Sequence, residues 1–592
     1  MTDHEVPSLG RRIEAAVTAA IGRAVPELAG ADPVVRRSER AGVDVQSNAA
    51  LALAARVGRA PADLAADIVR ELADGDTGGE VSATVSPPGF VNLTVHGRTI
   101  WTQLGARLAD DRLGVGAPLT GQRTVIDYSG PNVAKEMHVG HLRSTIIGDS
   151  LARILGHLGA DVVRENHLGD WGTQFGMLIQ YLDEHPDTSW RHDQVDGGTS
   201  TVSALEGLYR RARADFDDDP AFAGRSRRRV VALQSGDEPT LACWREIVHE
   251  SEVAFQAVYR RLGVLLTPQD SVGESFYNPM LGDVVAELES AGIAVPSEGA
   301  VCVFTPGFVG RDDRPTPLIV RKADGGHGYA TTDLATIRHR LRERGADRIL
   351  YLVDARQALH FRMVFATARR AGWVPEGTEL VHLPFGTVLG PDGRPFKTRS
   401  GDTVRLVDLL DMAVERARGV VAEKSPELDA AELDRIAALV GVGAVKYAEL
   451  STSAARDYVF DPDRMVSLTG NTGVYLQYAH ARVCSILRRA DGSGHAVSVD
   501  PDAPLAPAER VLGLALDAFG DTLTDVATGS EPHRLCLHLY EVARAFSVFY
   551  ELCDVLRAPD PLRGNRLALC QLTAGTLRRG LGLLGVAAPE RL

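Results

Sequence analysis

Residues 131–141 read Pro-Asn-Val-Ala-Lys-Glu-Met-His-Val-Gly-His. They lie between a strand-like run at 124–129 and a helix-like run that begins at Leu142. Free N–H groups at a helix start favour a bound anion, and Gly140 lets a ligand approach the backbone. His138 and His141 can donate hydrogen bonds to phosphate oxygens, and Lys135 adds a positive charge. The stretch therefore predicts a nucleotide phosphate site at the carboxyl edge of a parallel sheet, although histidines at a helix start are often only caps or core residues.

The whole chain has 592 residues, which predicts three to five domains. We expect no membrane partner, because we find no apolar run long enough to cross a bilayer. Its six cysteines are scattered without C-x-x-C spacing, which argues against a zinc site and a disulfide framework. Together with a start that lacks signal-peptide features, this predicts a cytoplasmic protein. The net charge of −14 argues against non-specific polyanion binding but allows a local basic groove.

The periodicity predicts an α/β plus all-α protein of several units. Residues 1–118 are expected to form a small N-terminal α/β domain, with helical spacing at 51–72. Residues 119–385 are expected to form a Rossmann-type parallel-sheet domain with a polar helical insertion at about 180–300. Runs at 317–321 and 348–354 are interpreted as strands of its second half. A Gly-rich connecting region at 386–435 precedes a helical bundle at 436–592.

The connecting region contains a second candidate element, a basic loop at 390–401 with sequence Gly-Pro-Asp-Gly-Arg-Pro-Phe-Lys-Thr-Arg-Ser-Gly. Arg394, Lys397 and Arg399 can meet the negative charge that develops on a reacting phosphate. Alone, such a loop is usually a solvated hairpin. Combined with the His-x-Gly-His element, it predicts a nucleotidyl transferase.

Longer stretches give the site an identity at the family level. The sequence resembles the arginyl-tRNA synthetase family of the class I aminoacyl-tRNA synthetases from about residue 88 to its end. His138-Val-Gly-His141 matches the class I "HIGH" element, and the other matches lie at 128–149, 166–176, 328–334, 396–399, 470–479 and 549–557. The resemblance implies ATP-dependent activation of L-arginine, with Mg²⁺ accompanying ATP and no dedicated protein metal site, and then transfer to tRNA-Arg. It also implies a monomer that needs bound tRNA before it activates the amino acid.

The same resemblance assigns residues to roles. The family's arginine-binding positions correspond to Asp127, Asn132, Tyr329, Asp333 and Gln357. Carboxylates suit this task, because a guanidinium is planar and permanently charged. A competitor without that group leaves buried polar groups unpaired, so no editing domain is required. Alone, Asp333 would be interpreted as an ordinary carboxylate in the first turn of a helix.

Nucleotide and RNA contacts are implied in the same way. The ATP-contacting positions are His138, Gly140, His141, His360 and Lys397, and the catalytic set is Lys135, His138, His141, Lys397 and Arg399. Phe90 and Asn92 match contacts with the tRNA D-loop, for which a plain strand core is the alternative. The positions matching contacts with the anticodon loop are Tyr475, Tyr478 and Arg482, with helix packing as the alternative, and the terminal Leu592.

Two departures from the family pattern affect the expected chemistry. The class I "KMSKS" loop reads Pro395-Phe-Lys-Thr-Arg399, so Thr398 occupies the position of its second lysine. Lys135, just before the His-x-Gly-His element, is the expected substitute, as in many relatives that share this loss. Related chains often end in Met where this one ends in Leu592, an apolar residue of similar size.

Two other functions compete with a housekeeping synthetase. One is a non-catalytic, tRNA-binding regulator, which should have lost part of the site; no position of the site is lost here. The other is a paralogue that supplies aminoacyl-tRNA or an aminoacyl adenylate to secondary metabolism, and it would need the same residues.

Overall fold

The computed structural model describes residues 6–75, 79–191, 201–310, 313–390, 392–396 and 404–592. Its N-terminal unit is a four-stranded antiparallel sheet covered by helices on one face. The predicted helix over 51–72 is two helices, because Gly58 adopts a left-handed conformation and Pro61 starts a new helix. The elements of this unit are α1 (Leu9–Ala24), β1 (Val35–Arg37), β2 (Val45–Ser47), α2 (Ala49–Leu53), α3 (Pro61–Ala73), β3 (Val81–Ser86), β4 (Phe90–Val95) and α4 (Gly97–Leu108).

The central unit begins with a β-α-β unit and continues through a group of helices. Its first elements are β5 (Arg123–Asp127), α5 (Val139–His157), β6 (Asp161–Leu168), α6 (Thr173–Glu184), α7 (Thr201–Asp218), α8 (Pro220–Ser235), α9 (Glu238–Leu262), β7 (Ser271–Gly273) and α10 (Glu274–Ser290). The later elements are β8 (Ala294–Ser297), β9 (Ala300–Val309), β10 (Pro315–Arg321), α11 (Tyr329–Arg342), β11 (Arg348–Tyr351), α12 (Ala358–Arg370), β12 (Glu379–His382) and β13 (Val388–Leu389).

Five of these strands form a parallel sheet in the order β12-β11-β5-β6-β7. The sheet separates two apolar cores. One contains Val125 and Val364 and lies on the side of α10, α11 and α12, while the other contains Ile126 and Leu142 and continues into the N-terminal unit and the helical bundle. Close packing of α5 on the sheet requires Gly148, where an added Cβ would lie 2.3 Å from Cγ of Tyr128.

Two details of the predicted central unit are wrong. The run at 317–321 is not a strand of the parallel sheet, because β10 pairs antiparallel with β9 in a separate three-stranded sheet ordered β10-β9-β8. The region 180–300 is not purely helical, because β7 pairs with β6 as the edge strand of the parallel sheet. Three residues are too few for a periodicity signal.

From Leu406 onward the elements are helices, apart from a two-residue strand that pairs with β13, in agreement with the helical bundle predicted for 436–592. A long apolar core connects it to α5 and to the N-terminal unit. None of the described helices has the length and apolar character needed to cross a bilayer. The elements are α13 (Leu406–Lys424), α14 (Ala430–Leu450), β14 (Tyr458–Val459), α15 (Pro462–Met465), α16 (Gly473–Gly492), α17 (Pro507–Asp517), α18 (Phe519–Gly529), α19 (His533–Leu552) and α20 (Leu562–Leu583).

Candidate active site

The start of α5 is capped by its own two histidines. The backbone N–H of Gly140 donates to Nδ1 of His138 at 3.0 Å, and the N–H of His138 donates to Nδ1 of His141 at 3.1 Å. The two ring centroids are 4.0 Å apart. Because each Nδ1 accepts a backbone hydrogen, each neutral ring carries its proton on Nε2. Each histidine can therefore cap the helix through Nδ1 and still donate a hydrogen bond to a ligand through Nε2–H.

Burial keeps both rings neutral. It lowers the pKa of His141 to about 3, with the neighbouring His138 as a smaller cause. Burial also lowers the pKa of His138. At neutral pH the histidines can therefore act as hydrogen-bond donors without carrying charge. Gly140 is required by their geometry, because an added Cβ would lie 2.8 Å from Cε1 of His138.

A cavity of about 330 Å³ opens beside this helix start. One wall consists of His138, Gly140 and Arg143. The opposite wall is formed by the strand β13 and the residues that flank it, including Thr387, Val388 and Phe396. Since the first wall is the phosphate site predicted from sequence, this cavity is the candidate site for the nucleotide.

The structure describes the approaches to the basic loop but not its centre. Lys397 and Arg399, both predicted to be catalytic, lie outside the described residues, as does Thr398. Before them, Phe396 packs against the ring of Phe460 with centroids 5.3 Å apart. After them, the backbone N–H of Val139 donates to the carbonyl of Val404 at 3.0 Å. Both ends of the loop are thus attached beside the cavity.

Lys135 lies in the loop that precedes α5. Its Nζ is 5.3 Å from the ring centroid of Tyr209 on α7, a typical cation–π distance. It is close enough to His138 to contribute to the lowered pKa of that ring. The insertion helix therefore holds the lysine next to the histidine pair.

The predicted arginine-binding residues are distributed around the carboxyl edge of the sheet. Asp333, the fifth residue of α11 and therefore just beyond its first turn, accepts a hydrogen bond from Nε2 of His360 at 2.5 Å. His360, which was predicted to contact ATP, is thus engaged with a predicted arginine ligand. Tyr329 starts α11 and is 74% exposed, and Gln357 is exposed at the start of α12. Asn132 is exposed beside Gly169, across an isolated bridge.

Asp127 is the least accessible member of this group. Its carboxylate accepts a hydrogen bond from Nη2 of Arg340 at 2.8 Å, and Arg340 also pairs through Nε with Glu165 at 2.5 Å. Arg340 and Glu165 are buried, and the guanidinium carbon lies 5.0 Å from the ring centroid of Tyr351. An internal guanidinium thus already contacts the carboxylate predicted to bind a substrate guanidinium.

Sequence reasoning missed three charged residues at the site. Arg340 occurs in an arginine-rich helix segment that is typical of a solvated face, and no sequence signal marks it as buried. Arg143 lines the cavity and was hidden within the apolar pattern of α5. Glu274 follows β7, so the recognition of that short strand would have placed it at the sheet edge. Burial, with Asp170 and Asp333 nearby, raises the pKa of Glu274 to about 7.

The predicted D-loop residues lie on β4. Phe90 is half-buried, but Asn92 is only 4% exposed. Its amide accepts a hydrogen bond from Gln46 at 2.8 Å and donates one to Ser86 at 2.9 Å. A contact between Asn92 and RNA would have to replace these bonds.

The predicted anticodon residues lie near the surface of the helical bundle. Tyr478 is 46% exposed, and the guanidinium carbon of Arg482 is 4.3 Å from the ring centroid of Tyr550. Tyr475 is half-buried, with its ring edge-on to Tyr540 and centroids 5.7 Å apart. Leu592 packs partly buried against the core. Among the described residues, no group of three or more His, Cys, Asp or Glu side chains has an arrangement that could hold a metal ion.

Comparison with known proteins identifies the family. Residues 103–462 match the catalytic domain of "tRNA synthetases class I (R)", residues 11–95 match the "Arginyl tRNA synthetase N terminal domain", and residues 476–592 match the "DALR anticodon binding domain". The chain is 64% identical to "Arginine--tRNA ligase" of Frankia casuarinae over 593 residues, with 100% of both chains covered. It is 51% identical to the enzyme of the same name from Streptomyces coelicolor, with 99% of this chain and 100% of the relative covered.

Solved structures agree with this result. The arginyl-tRNA synthetase of Plasmodium falciparum superposes with a TM-score of 0.82 at 27% identity, with 100% of both chains covered. The Thermus thermophilus arginyl-tRNA synthetase gives a TM-score of 0.79 at 25% identity, with 99% of this chain and 100% of that one covered. The predicted family and the predicted fold class are both confirmed: the chain belongs to the arginyl-tRNA synthetase family of class I.

Proposed function

We propose that this chain charges tRNA-Arg with L-arginine in two steps. In the first, a carboxylate oxygen of arginine attacks the α-phosphorus of ATP, and the bond between that phosphorus and the pyrophosphate oxygen breaks. In the second, the 2′-hydroxyl of the terminal adenosine attacks the arginyl carbonyl carbon, and AMP leaves. The observation that carries the proposal is the pair of neutral histidines at the start of α5, each with its proton on Nε2, together with the position of His138 in the wall of the candidate nucleotide cavity.

The proposed roles follow from charge and position. His138 and His141 donate from Nε2 to phosphate oxygens as negative charge grows on them. Lys397 and Arg399 provide cations from the basic loop. Tyr329, Asp333 and Gln357 receive the substrate arginine, with Asn132 and Asp127 at the edge of its site. Mg²⁺ enters bound to ATP and is held mostly by phosphates and water; the described residues offer no carboxylate cluster for it.

Lys135 is proposed to replace the lysine that the basic loop lacks at Thr398. Its ammonium next to His138 supports this role. Lys135→Ala should lower the rate of arginyl-adenylate formation by about 100-fold or more, the usual cost of a lost transition-state contact. Lys322→Ala, in the exposed turn before α11, is the control and should leave the rate unchanged. If the Lys135→Ala enzyme kept the full rate, Lys135 would not replace the lysine that is missing at Thr398.

The RNA-binding regions are proposed from the same set of matches. Residues 1–118 would contact the D-loop through Phe90 and Asn92, and residues 436–592 would bind the anticodon loop through Tyr475, Tyr478, Arg482 and Leu592. Residues 119–385 and 386–435 would perform the chemistry. A monomer in the cytoplasm is the proposed working form.

The test is arginine-dependent exchange of pyrophosphate into ATP, measured with and without purified tRNA-Arg. Exchange that requires both arginine and tRNA-Arg is the expected result, followed by attachment of labelled arginine to the tRNA. No exchange with tRNA-Arg present would overturn the proposal. Exchange without transfer to tRNA would instead favour an adenylate supplier, and tRNA binding without exchange would favour a regulator.

A further inference from the structure

The helices α5 and α14 face each other with two buried ion pairs. Arg143 and Asp149 of α5 lie opposite Glu449 and Lys446 of α14, so each helix contributes one cation and one anion. All four side chains are at most 1% exposed. The two pairs differ in position: Arg143 lines the nucleotide cavity, whereas Asp149 lies six residues further along α5.

The Arg143 guanidinium connects three segments. Its Nε pairs with Glu449 of α14, and its Nη1 donates to the backbone carbonyl of Arg456 at 2.7 Å. Its central carbon lies 5.3 Å from the ring centroid of Tyr458 on β14. One side chain at the first wall of the cavity is therefore held by α14 and by the segment that follows it.

That segment also carries the opposite wall of the cavity. β14 pairs in parallel with β13, with Tyr458 in register with Val388. The N–H of Thr387 donates to Oδ1 of Asp457 at 2.6 Å, and the N–H of Gly386 donates to the carbonyl of Ala454 at 2.9 Å. Since Thr387 and Val388 line the cavity, both of its walls are tied to residues that contact Arg143.

Stability alone does not account for a pair of this kind. The desolvation of two charges offsets most of their attraction, and apolar pairs of similar volume are often as stable. The best-attested use of a buried ion pair is to hold two elements in a single arrangement. Here the two elements are the histidine-bearing helix and the helix that leads to the second cavity wall.

We propose that Arg143, held by Glu449, is a positioning residue that sets the distance between the two walls of the nucleotide cavity and thereby the affinity for ATP. This inference rests on the proposed function, because it assigns ATP to that cavity. Under this proposal α14 determines the geometry of nucleotide binding through its contacts, although it is remote in sequence from both walls of the cavity.

The main test is Glu449→Gln, which keeps the side-chain shape and removes the charge that holds Arg143. We expect the dissociation constant and the KM for ATP to rise about tenfold, since displacement of a group by about 1 Å can cost up to about 100-fold. The KM for arginine and the affinity for tRNA-Arg should be unchanged. A general loss of structure would weaken the binding of ATP, arginine and tRNA-Arg together. A change confined to ATP therefore distinguishes a positioning role from a purely structural one.

Lys446→Met is the matched control on the same two helices. It removes the other ion pair, but Asp149 keeps its bonds to Arg153 at 2.8 Å and to the N–H of Leu265 at 2.7 Å. ATP affinity should be unchanged in this variant. An equal loss of ATP affinity in both variants, or wild-type ATP affinity in folded Glu449→Gln, would overturn the proposal.

Two further measurements keep the test decisive. If Glu449→Gln does not fold, Tyr458→Leu removes the ring beneath the guanidinium and should also weaken ATP binding; unchanged binding would contradict the inference. ATP affinity is measured at equilibrium, so it needs no turnover. Absence of arginine-dependent exchange in the wild type with tRNA-Arg present would overturn the proposed function while leaving the comparison of ATP affinities intact.

Discussion

At the scale of single residues, the proposed phosphate site depends on a glycine as much as on its histidines. In Gly140→Ala the new methyl group would lie 2.8 Å from Cε1 of His138. The imidazole ring must then move away from the helix start, and its Nε2–H can no longer donate to the phosphate oxygen from the same position. We expect kcat/KM for ATP in pyrophosphate exchange to fall about 100-fold, as for the loss of one transition-state hydrogen-bond donor.

Gly156→Ala, on the same helix, is the matched control. An added Cβ there meets only Cγ2 of Val162 at 3.9 Å, an ordinary contact. Alanine in a helix is more stable than glycine by roughly 0.5–1 kcal/mol, so this variant should keep full activity and unfold at slightly higher denaturant concentration. Full activity in Gly140→Ala would show that the position of the His138 ring does not limit the rate of pyrophosphate exchange.

Single residues also show where sequence reasoning reaches its limit. The phosphate site was predicted from the His-x-Gly-His spacing together with the strand before it, Lys135 and the basic loop, and the first three of these are neighbours in sequence that share one local geometry. The partners of Asp127 and His360 could not be predicted in this way. Arg340 and Asp333 are distant from them in sequence, and only the packing of α11 against the sheet and against α12 brings the partners together.

At the scale of secondary-structure elements, α11 is attached to the sheet by one buried guanidinium. Arg340→Met would leave the carboxylate of Asp127 without its cation and Glu165 with only the half-exposed Arg344, at 3.9 Å, in a buried environment. Removing one partner of a buried ion pair costs about 3–5 kcal/mol, and we expect a loss of this size in the free energy of unfolding measured with urea. The residues of α11 that are proposed to bind arginine should shift with it, so the KM for arginine should rise.

Arg342→Met, two residues further along α11, is the control. Arg342 is half-exposed and pairs with Glu287, which also receives bonds from Arg338 and Trp373. Exposed pairs contribute about 0–1 kcal/mol, so stability should change little. A loss of stability in Arg340→Met as small as that in Arg342→Met would mean that the fold tolerates removal of the guanidinium beside Asp127 and Glu165.

The sequence predicts some secondary-structure elements more clearly than others. The helix α5 was predicted to begin at Leu142, three residues after its observed start at Val139, because its apolar residues recur with helical spacing. The strand β7 has three residues and no periodicity, and β10 is strand-like but belongs to another sheet. Local pattern specifies the type of an element more readily than the partner it pairs with.

At the scale of the whole molecule, the N-terminal unit and the helical bundle share buried polar contacts that no local pattern predicts. Arg107 of α4 pairs with Asp517 of α17 at 2.6 Å, and both side chains are at most 3% exposed. The N–H of Leu9 also donates to Asp517 at 2.7 Å. These contacts join the N-terminal unit to the helical bundle across 400 residues of sequence, so their existence follows only from the assembled fold.

The assembled molecule also buries neutral histidines in different units. Burial lowers the pKa of His141 to about 3 and the pKa values of His157 and His538 to about 4. A histidine that is neutral when folded must take up a proton to become charged. Its contribution to stability is therefore complete above pH 6.5 and is lost as the pH falls from 6.5 through the folded pKa.

Carboxyl groups act in the opposite direction over the same range. Burial raises the pKa values of Asp170, Glu274 and Asp521. A carboxyl group with a raised folded pKa contributes stability at low pH that is lost as the pH rises through that value. The histidine contribution must therefore be isolated by substitution rather than read from the pH profile of the wild type.

His538→Gln isolates the contribution of one buried histidine to the pH dependence of stability, because glutamine does not titrate. His538 lies on α19 with its ring stacked on Phe519 and its Nε2 buried without a partner, and Arg37 adds to the lowering of its pKa. Between pH 7.5 and pH 4.5 the free energy of unfolding of the variant should fall less than that of the wild type. His533→Gln, a half-exposed position at the start of the same helix, is the control. If the His538→Gln protein and the wild type lose stability in parallel on acidification, the buried ring at 538 is not a source of acid sensitivity.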